Sequence, residues 1–152
     1  MKDLSKEEME RLLNTVGDGV LALSSEDIPY CIPFGFVYIG GKVYLSMFPR
    51  GRKWEIFKKN NKVCFNAFCW NEDHSEWSSV VIDGKMVQVK NLKEIESVVR
   101  ANIAKVGLDP VSYLEKRMAI YQKSIDKPSA LKILRIETER MAGRKMKTLI
   151  GE

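Results

Sequence analysis

Apolar residues recur every three to four positions at the start of the chain and then give way to alternation. Ser5-Lys6-Glu7-Glu8 fits a capping box, and Leu4 and Met9 are placed for a hydrophobic staple around it. Leu12, Leu13 and Val16 continue the stripe, so a helix is predicted up to Gly17-Asp18-Gly19. Strand signals follow. Val20 to Ser24 is a short apolar run, and Ser25-Glu26-Asp27 reads as a turn. Tyr30 to Ile39 is β-prone, and Pro29 and Pro33 suit an edge or a bulge near its start. Gly40-Gly41 is a hairpin turn into Lys42 to Phe48. Pro49-Arg50-Gly51 breaks that strand. Arg52 to Asn60 then reads as a short helix with Trp54 and Phe57 on one side. Lys62 to Trp70 is a further strand, residues 71–76 are a polar loop, and Trp77 to Lys90 reads as a hairpin folded at Asp83-Gly84.

Two helices come next. Asn91 caps the first with Glu94 at N3, Ile95, Val98, Val99 and Ile103 form its buried face, and Gly107 suits its end. Asp109 caps the second with Pro110 at N1, and its stripe is Val111, Leu114, Met118, Tyr121 and Ile125. After the turn Lys127-Pro128-Ser129, Ala130 to Thr138 reads as a final strand, which must pair with an earlier one to be stable. Short strands at close spacing favour an antiparallel barrel over βαβ units. The expectation is α+β, one domain over 1–152: a barrel core at 18–90, a helical pair at 91–126, a returning strand at 130–138 and a basic tail at 140–152.

Composition narrows the class. The 152 residues are 45% hydrophobic and 30% charged, as in a soluble globular protein. No apolar run is long enough to span a membrane, and the charged N-terminus has no secretory-signal core, so a cytoplasmic protein is expected. Cys31, Cys64 and Cys69 are odd in number, and Cys64 and Cys69 point to opposite faces of one strand. That parity argues against a disulfide or a shared metal site between them; buried free thiols and no metal are expected. The only histidine, His74, reads as a solvated loop residue. Alone it makes neither a zinc site nor a catalytic triad, although one axial histidine suffices for haem. Trp54, Trp70, Trp77, Tyr113 and Tyr121 read as core or interface residues.

A net charge of +5 suits nucleic acid, an anionic membrane or a phosphorylated ligand. The position of the cations decides. Arg140, Arg144, Lys145 and Lys147 lack interleaved aromatics and any DNA-binding motif, so no nucleic-acid or membrane partner is expected. They read as a solvated terminus or as a second lobe of a phosphate pocket. The informative stretch is Tyr44 to Lys53, which leaves a strand, turns at Pro49-Arg50-Gly51 and enters a helix. A helix start offers free N–H groups and a positive dipole end, where basic side chains are unfavourable unless an anion is present. Arg50, Arg52 and Lys53 are there, with Ser46 at the strand end, and together they read as a phosphate cradle. No GxGxxG fingerprint occurs.

Pro29-Tyr30-Cys31-Ile32-Pro33, Val43-Tyr44-Leu45-Ser46, Gly51-Arg52-Lys53, Lys62-Val63-Cys64-Phe65-Asn66 and Trp77 to Met86, in this order and spacing, resemble the pyridoxamine 5′-phosphate oxidase-like FMN-binding split β-barrel superfamily. The resemblance implies a split antiparallel barrel of about six to seven strands with flanking helices. It also implies a homodimer that binds FMN between its subunits. By position, it places the phosphate on Ser46, Arg52 and Lys53, with Arg50 beside them, and sets Cys31, Ile32 and Pro33 along the flavin ring. Ser78 and Ser79 match a polar position that meets the flavin, commonly from the partner subunit. The activity implied is an FMN-dependent oxidoreductase acting on a small molecule, with the hard chemistry carried by the flavin and no acid–base residue assigned. A flavin carrier without turnover and a haem-binding split barrel are the alternatives. The segment Arg144 to Glu152 holds no histidine of the kind that binds substrate in the vitamin oxidase, and Ser46 stands where nitroimidazole-resistance relatives usually have one.

Overall fold

A computed structural model describes residues 1–148. The chain runs β1 (Lys2–Asp3), α1 (Lys6–Thr15), β2 (Asp18–Ser25), β3 (Ile28–Gly35), β4 (Val37–Ile39), β5 (Lys42–Met47), α2 (Gly51–Lys59), β6 (Lys62–Trp70), β7 (Glu76–Gln88), α3 (Leu92–Lys105), α4 (Pro110–Ser124) and β8 (Lys132–Lys147). All pairings are antiparallel, in the order β3-β2-β6-β7-β8-β5-β4, with β1 added on β8. The two outer strands, β3 and β4, follow one another in sequence yet do not pair. The sheet curls into a barrel that is split along that seam, as the α+β split-barrel reading expected.

Inward positions fill the barrel: Leu21, Phe65, Val80, Ile82, Leu45 and Ile136 are among its buried residues, and Leu12 and Leu13 of α1 and Ile56 of α2 close it. A second cluster lies outside, where Ile95, Val98, Val99 and Ile103 of α3 pack against Val37, Tyr44 and Ile133. The helical pair therefore covers the outer face of β4, β5 and the start of β8. The outer face of β3, β2, β6 and the first half of β7 carries no helix. Among the described residues, no helix is long and apolar enough to cross a membrane.

Several boundaries differ from the sequence reading. Trp77 to Lys90 is no hairpin: β7 runs straight through Asp83-Gly84, with β6 on one side and β8 on the other. The Asp-Gly pair instead marks a bulge, at which Glu139 of β8 has no opposite residue. The Tyr30 to Ile39 segment breaks at Phe36, whose side chain turns into the barrel and meets Phe65 edge-on at 5.0 Å. Lys105 fastens this seam, donating to the Gly17 carbonyl (2.6 Å) and the Phe36 carbonyl (3.0 Å). The basic tail is mostly strand. β8 continues to Lys147 because β7 before Asp83 needs a second partner, and Leu4 and Met9 crowd Gly143 from above. Residues 149–152 of that tail lie outside the described residues. Val111, expected on the buried stripe of α4, is 88% exposed, because only Leu114, Met118, Tyr121 and Ile125 face the sheet. Cys64 and Cys69 do point to opposite faces, but the thiols are not buried: Cys31 is exposed on the edge strand, and the other two are half-buried. Burial, then the carboxylate of Asp83, pushes the Cys64 thiol up.

α3 is held to the sheet by a charged knot. Arg135 of β8 donates to both oxygens of Glu94 (2.7 and 2.6 Å) and to Glu137 (2.7 Å), and the Tyr44 hydroxyl donates to Glu94 at 2.6 Å. Burial, then the Glu94 carboxylate, pushes Tyr44 up to about 12. Burial alone would raise Glu94, but hydrogen bonds from Tyr44 and Arg135 outweigh it and leave its carboxyl below 4.5. A depressed carboxyl stabilises the fold above its unfolded pKa and loses that contribution as pH falls through the folded value. Stability is therefore expected to decline from just under pH 4.5 downward, and Glu94→Gln is expected to flatten that part of the curve in urea melts across pH.

Candidate functional site

The segment read as a cradle lies at the corner between β5 and α2. Ser5, Asn91 and Asp109 cap the other three helices with their side chains, but Arg50 caps α2 without any side-chain hydrogen bond. No acidic residue lies in the first turn of α2. The first N–H groups of that helix thus face outward with no side-chain acceptor, at the positive end of the helix dipole. Gly51 begins the helix at φ +83°, a left-handed conformation that favours glycine. The chain can therefore reverse sharply after Pro49.

Three cations border this end. The Arg52 guanidinium stacks 4.4 Å above the Tyr30 ring, Arg50 lies 4.9 Å from the Phe48 ring, and Lys53 Nζ reaches the Arg50 carbonyl at 3.5 Å. None of the three joins an ion pair among the described residues. Positive charge has been collected where helix electrostatics disfavours it, with no carboxylate in ion-pair contact among the described residues. That donor set suits a phosphate, because a planar guanidinium forks onto two oxygens while amide N–H groups fill in around them.

The stacking of Arg52 on Tyr30 draws the corner against β3. There, Cys31 and Pro33 point to the uncovered outer face, while Ile32 turns inward to pack on the core. Ser46 also points outward, opposite Ile133 and beneath α4. The two serines of β7 part company, since adjacent strand residues face opposite ways. Ser78 turns into a cleft with Glu8, Arg11 and Cys69 under α1. Ser79 stays on the outer face and accepts from Asn66 Nδ2 at 2.7 Å. Within one chain, Arg50, Arg52, Lys53 and the β3 residues gather at one edge, whereas Ser78 and Ser79 sit on a strand that is separated from β3 by β2 and β6.

The sequence reading missed Tyr30 and Asn66. Two-residue periodicity would have found the second, because Cys64, Asn66, Phe68 and Trp70 share one face of β6. Phe68 (49% exposed) and Trp70 (45%) continue onto Trp77 and Met146, with the Trp70 and Trp77 rings 6.3 Å apart. This leaves an apolar strip on the bare face. His74, at φ +58°, is beside Trp70 at 5.7 Å.

Comparison with known proteins agrees with this architecture. The pyridoxamine 5′-phosphate oxidase family model matches residues 5–145. A search of the curated proteins found no match. Among solved structures, an FAD-binding protein from Mesorhizobium loti is 21% identical, with 96% of this chain and 98% of that chain covered and a TM-score of 0.65. The FAD binding protein from Mycobacterium smegmatis is 18% identical, covering 97% and 100%, with a TM-score of 0.68. A candidate 5-nitroimidazole antibiotic resistance protein from Bacteroides thetaiotaomicron is 20% identical, covering 95% and 86%, with a TM-score of 0.72. At such identities these likenesses establish a common fold, and the match over residues 5–145 goes further: the chain belongs to the pyridoxamine 5′-phosphate oxidase family.

Proposed function

We propose that the protein is an FMN-dependent oxidoreductase of small molecules that works as a homodimer, with one flavin at each of two equivalent sites between subunits. The observation that carries this reading is the uncapped start of α2, ringed by Arg50, Arg52 and Lys53 with no carboxylate partner among the described residues. Those groups and Ser46 hold the phosphate. The outward edge of β3 at Cys31 and Pro33, with Ile32 between them, reads the ring through its backbone. FMN-binding and FAD-binding proteins share this phosphate requirement, which the named M. loti and M. smegmatis neighbours make relevant.

The bare outer face supports the dimer. Exposed aromatics in a continuous strip mark an association surface rather than a solvated one. A second copy on that face buries Phe68, Trp70 and Met146 and brings Ser79 and Asn66 toward the flavin held by the first. Ser78, facing the cleft under α1, then supports its own barrel rather than the neighbouring cofactor.

Bound flavin supplies the electron transfer at its ring; the chain binds it, orients it and shields one face from water. The test is an absorption spectrum and mass spectrum of the purified protein, followed by addition of NADH or NADPH. Flavin bands that bleach and then recover with an added acceptor support the enzyme. Flavin bands that never bleach with any donor point to a carrier. A Soret band, with His74 as the axial candidate, replaces both readings with haem.

A further inference from the structure

Where α1 ends, a cavity of about 420 Å³ opens between that helix, the segment entering β4 and the last turn of α3. Leu13, Val16, Phe36, Val37, Ala101 and Ala104 give it apolar walls. Its polar groups are few. Asn14 and Thr15 turn back onto their own helix, donating to the Glu10 carbonyl (2.9 Å) and the Arg11 carbonyl (2.6 Å). The Tyr38 hydroxyl lines the cavity without a hydrogen-bond partner among the described residues. Burial, then the Glu10 carboxylate, raises that phenol, so it stays protonated and can donate. Among the described residues, Lys105 is the one charged side chain in the lining. Its ammonium gives two N–H groups to the Gly17 and Phe36 carbonyls and keeps a third. Gly17 admits this side chain, since a Cβ there would lie 2.8 Å from Lys105 Cε. No carboxylate pairs with Lys105 among the described residues. The groove between α3 and α4, about 470 Å³, is the contrast. Its cation, Arg100, is already paired with Glu96 at 3.0 Å, and Glu115 adds negative charge.

We infer that the cavity at the end of α1 binds a small carboxylic acid with a compact apolar body. The carboxylate meets Lys105 and Tyr38, and the hydrocarbon lies against Phe36, Val37 and the two alanines. An apolar enclosure with a few polar groups in its wall is the common form of a small-ligand site. The sign of the ligand's charge follows from the donors. An ammonium and a neutral phenol both donate, and a carboxylate accepts from both at once. Its size follows from the volume, which lies toward the lower end of the range of about 300–1,000 Å³ for such sites and suits a body of one or two rings. None of the lining residues belongs to the α2 corner, so the two sites fill independently. An acid seated here touches α1, β4 and α3 together, across the seam that Lys105 fastens.

The probes are naphthoate and its neutral amide, titrated calorimetrically into the full chain. Naphthoate is expected to bind once per chain and about tenfold or more tightly than the amide, because only the acid makes a charge-assisted bond to Lys105. Lys105→Met should erase that preference and leave acid and amide alike. Tyr38→Phe should weaken naphthoate by roughly threefold or more with an unchanged melting curve. Ala104 is an exposed residue of α3, so Ala104→Leu narrows the cavity without touching either donor and should weaken both probes. If Lys105→Met does not fold, the Ala104→Leu and Tyr38→Phe titrations decide. The double variant Arg52→Ala, Lys53→Ala should bind naphthoate as the parent does. Absence of naphthoate binding overturns the inference, as does equal affinity for acid and amide. Naphthoate binding that Lys105→Met or Ala104→Leu leaves unaltered also overturns it, and loss of binding in the double variant places the acid at the α2 corner instead.

Discussion

Replacing Arg52 and Lys53 together by alanine is expected to weaken FMN binding by about a hundredfold or more while the protein melts at the same temperature or slightly higher. Each charge-assisted hydrogen bond to a phosphate contributes about 1.5–3 kcal/mol, so losing both cations costs at least two decades of affinity. Stability moves the other way for a separate reason. Both side chains sit in the first turn of α2, at the positive end of its dipole, and neither has a carboxylate partner among the described residues. Alanine there removes a repulsion and raises helix propensity. Quenching of flavin fluorescence gives the first quantity and a thermal melt gives the second. Affinity that stays within threefold of the parent would remove the anion from the α2 corner, and with it the functional proposal. The single variant Arg52→Ala removes both of the residue's roles at once, the 4.4 Å stacking on Tyr30 and the charge.

Gly84→Ala is expected to be the most damaging single methyl in the barrel. A Cβ at this position would lie 2.1 Å from the Glu137 carbonyl oxygen and 2.9 Å from its carbon. Those are backbone atoms of the neighbouring strand, which cannot rotate away. β7 and β8 form the longest ladder in the sheet, so forcing them apart at the bulge disturbs pairing in both directions. A loss of about 3 kcal/mol or more is expected, lowering the melting temperature by roughly 6–12 °C for a chain of this length. Gly143→Ala provides the comparison. Its Cβ would meet Met9 Cγ at 2.7 Å and Leu4 Cδ1 at 2.9 Å, but these are side-chain atoms that can swing aside. Equal losses in the two variants would show that the close approach of β8 at Glu137 is not what constrains position 84.

Much of this architecture was legible along the chain because local chemistry and tertiary demand agree. The capping box at Ser5 and Glu8, the caps at Asn91 and Asp109, and the four buried residues of α3 all form where periodicity placed them. The cationic start of α2 was legible for a similar reason: cations in a helical first turn are anomalous whatever surrounds them. The errors arise where a long-range partner overrules a local signal. Asp83-Gly84 has strong turn chemistry, yet a strand lies on each side of it, and continuous pairing outweighs the tight turn. Arg140 to Lys147 reads as a tail because few of its residues are apolar. It becomes strand because β7 offers an unpaired edge and because Leu4 and, from α1, Met9 lie above Gly143. The divided facing of Ser78 and Ser79 follows from strand alternation alone; which of them turns outward is set by the partner strands.

The position of β8 has a consequence for synthesis. It is the strand that joins the β4–β5 hairpin to the rest of the sheet, and it is made after all of the others. During translation β2, β3, β6 and β7 can assemble from neighbours already emerged, whereas β4 and β5 have only each other until Lys132 and the residues beyond it leave the ribosome. A stalled or prematurely terminated chain therefore exposes the open side of β7 and an orphan hairpin together. These are the surfaces on which a chaperone would first act and at which two incomplete chains would adhere.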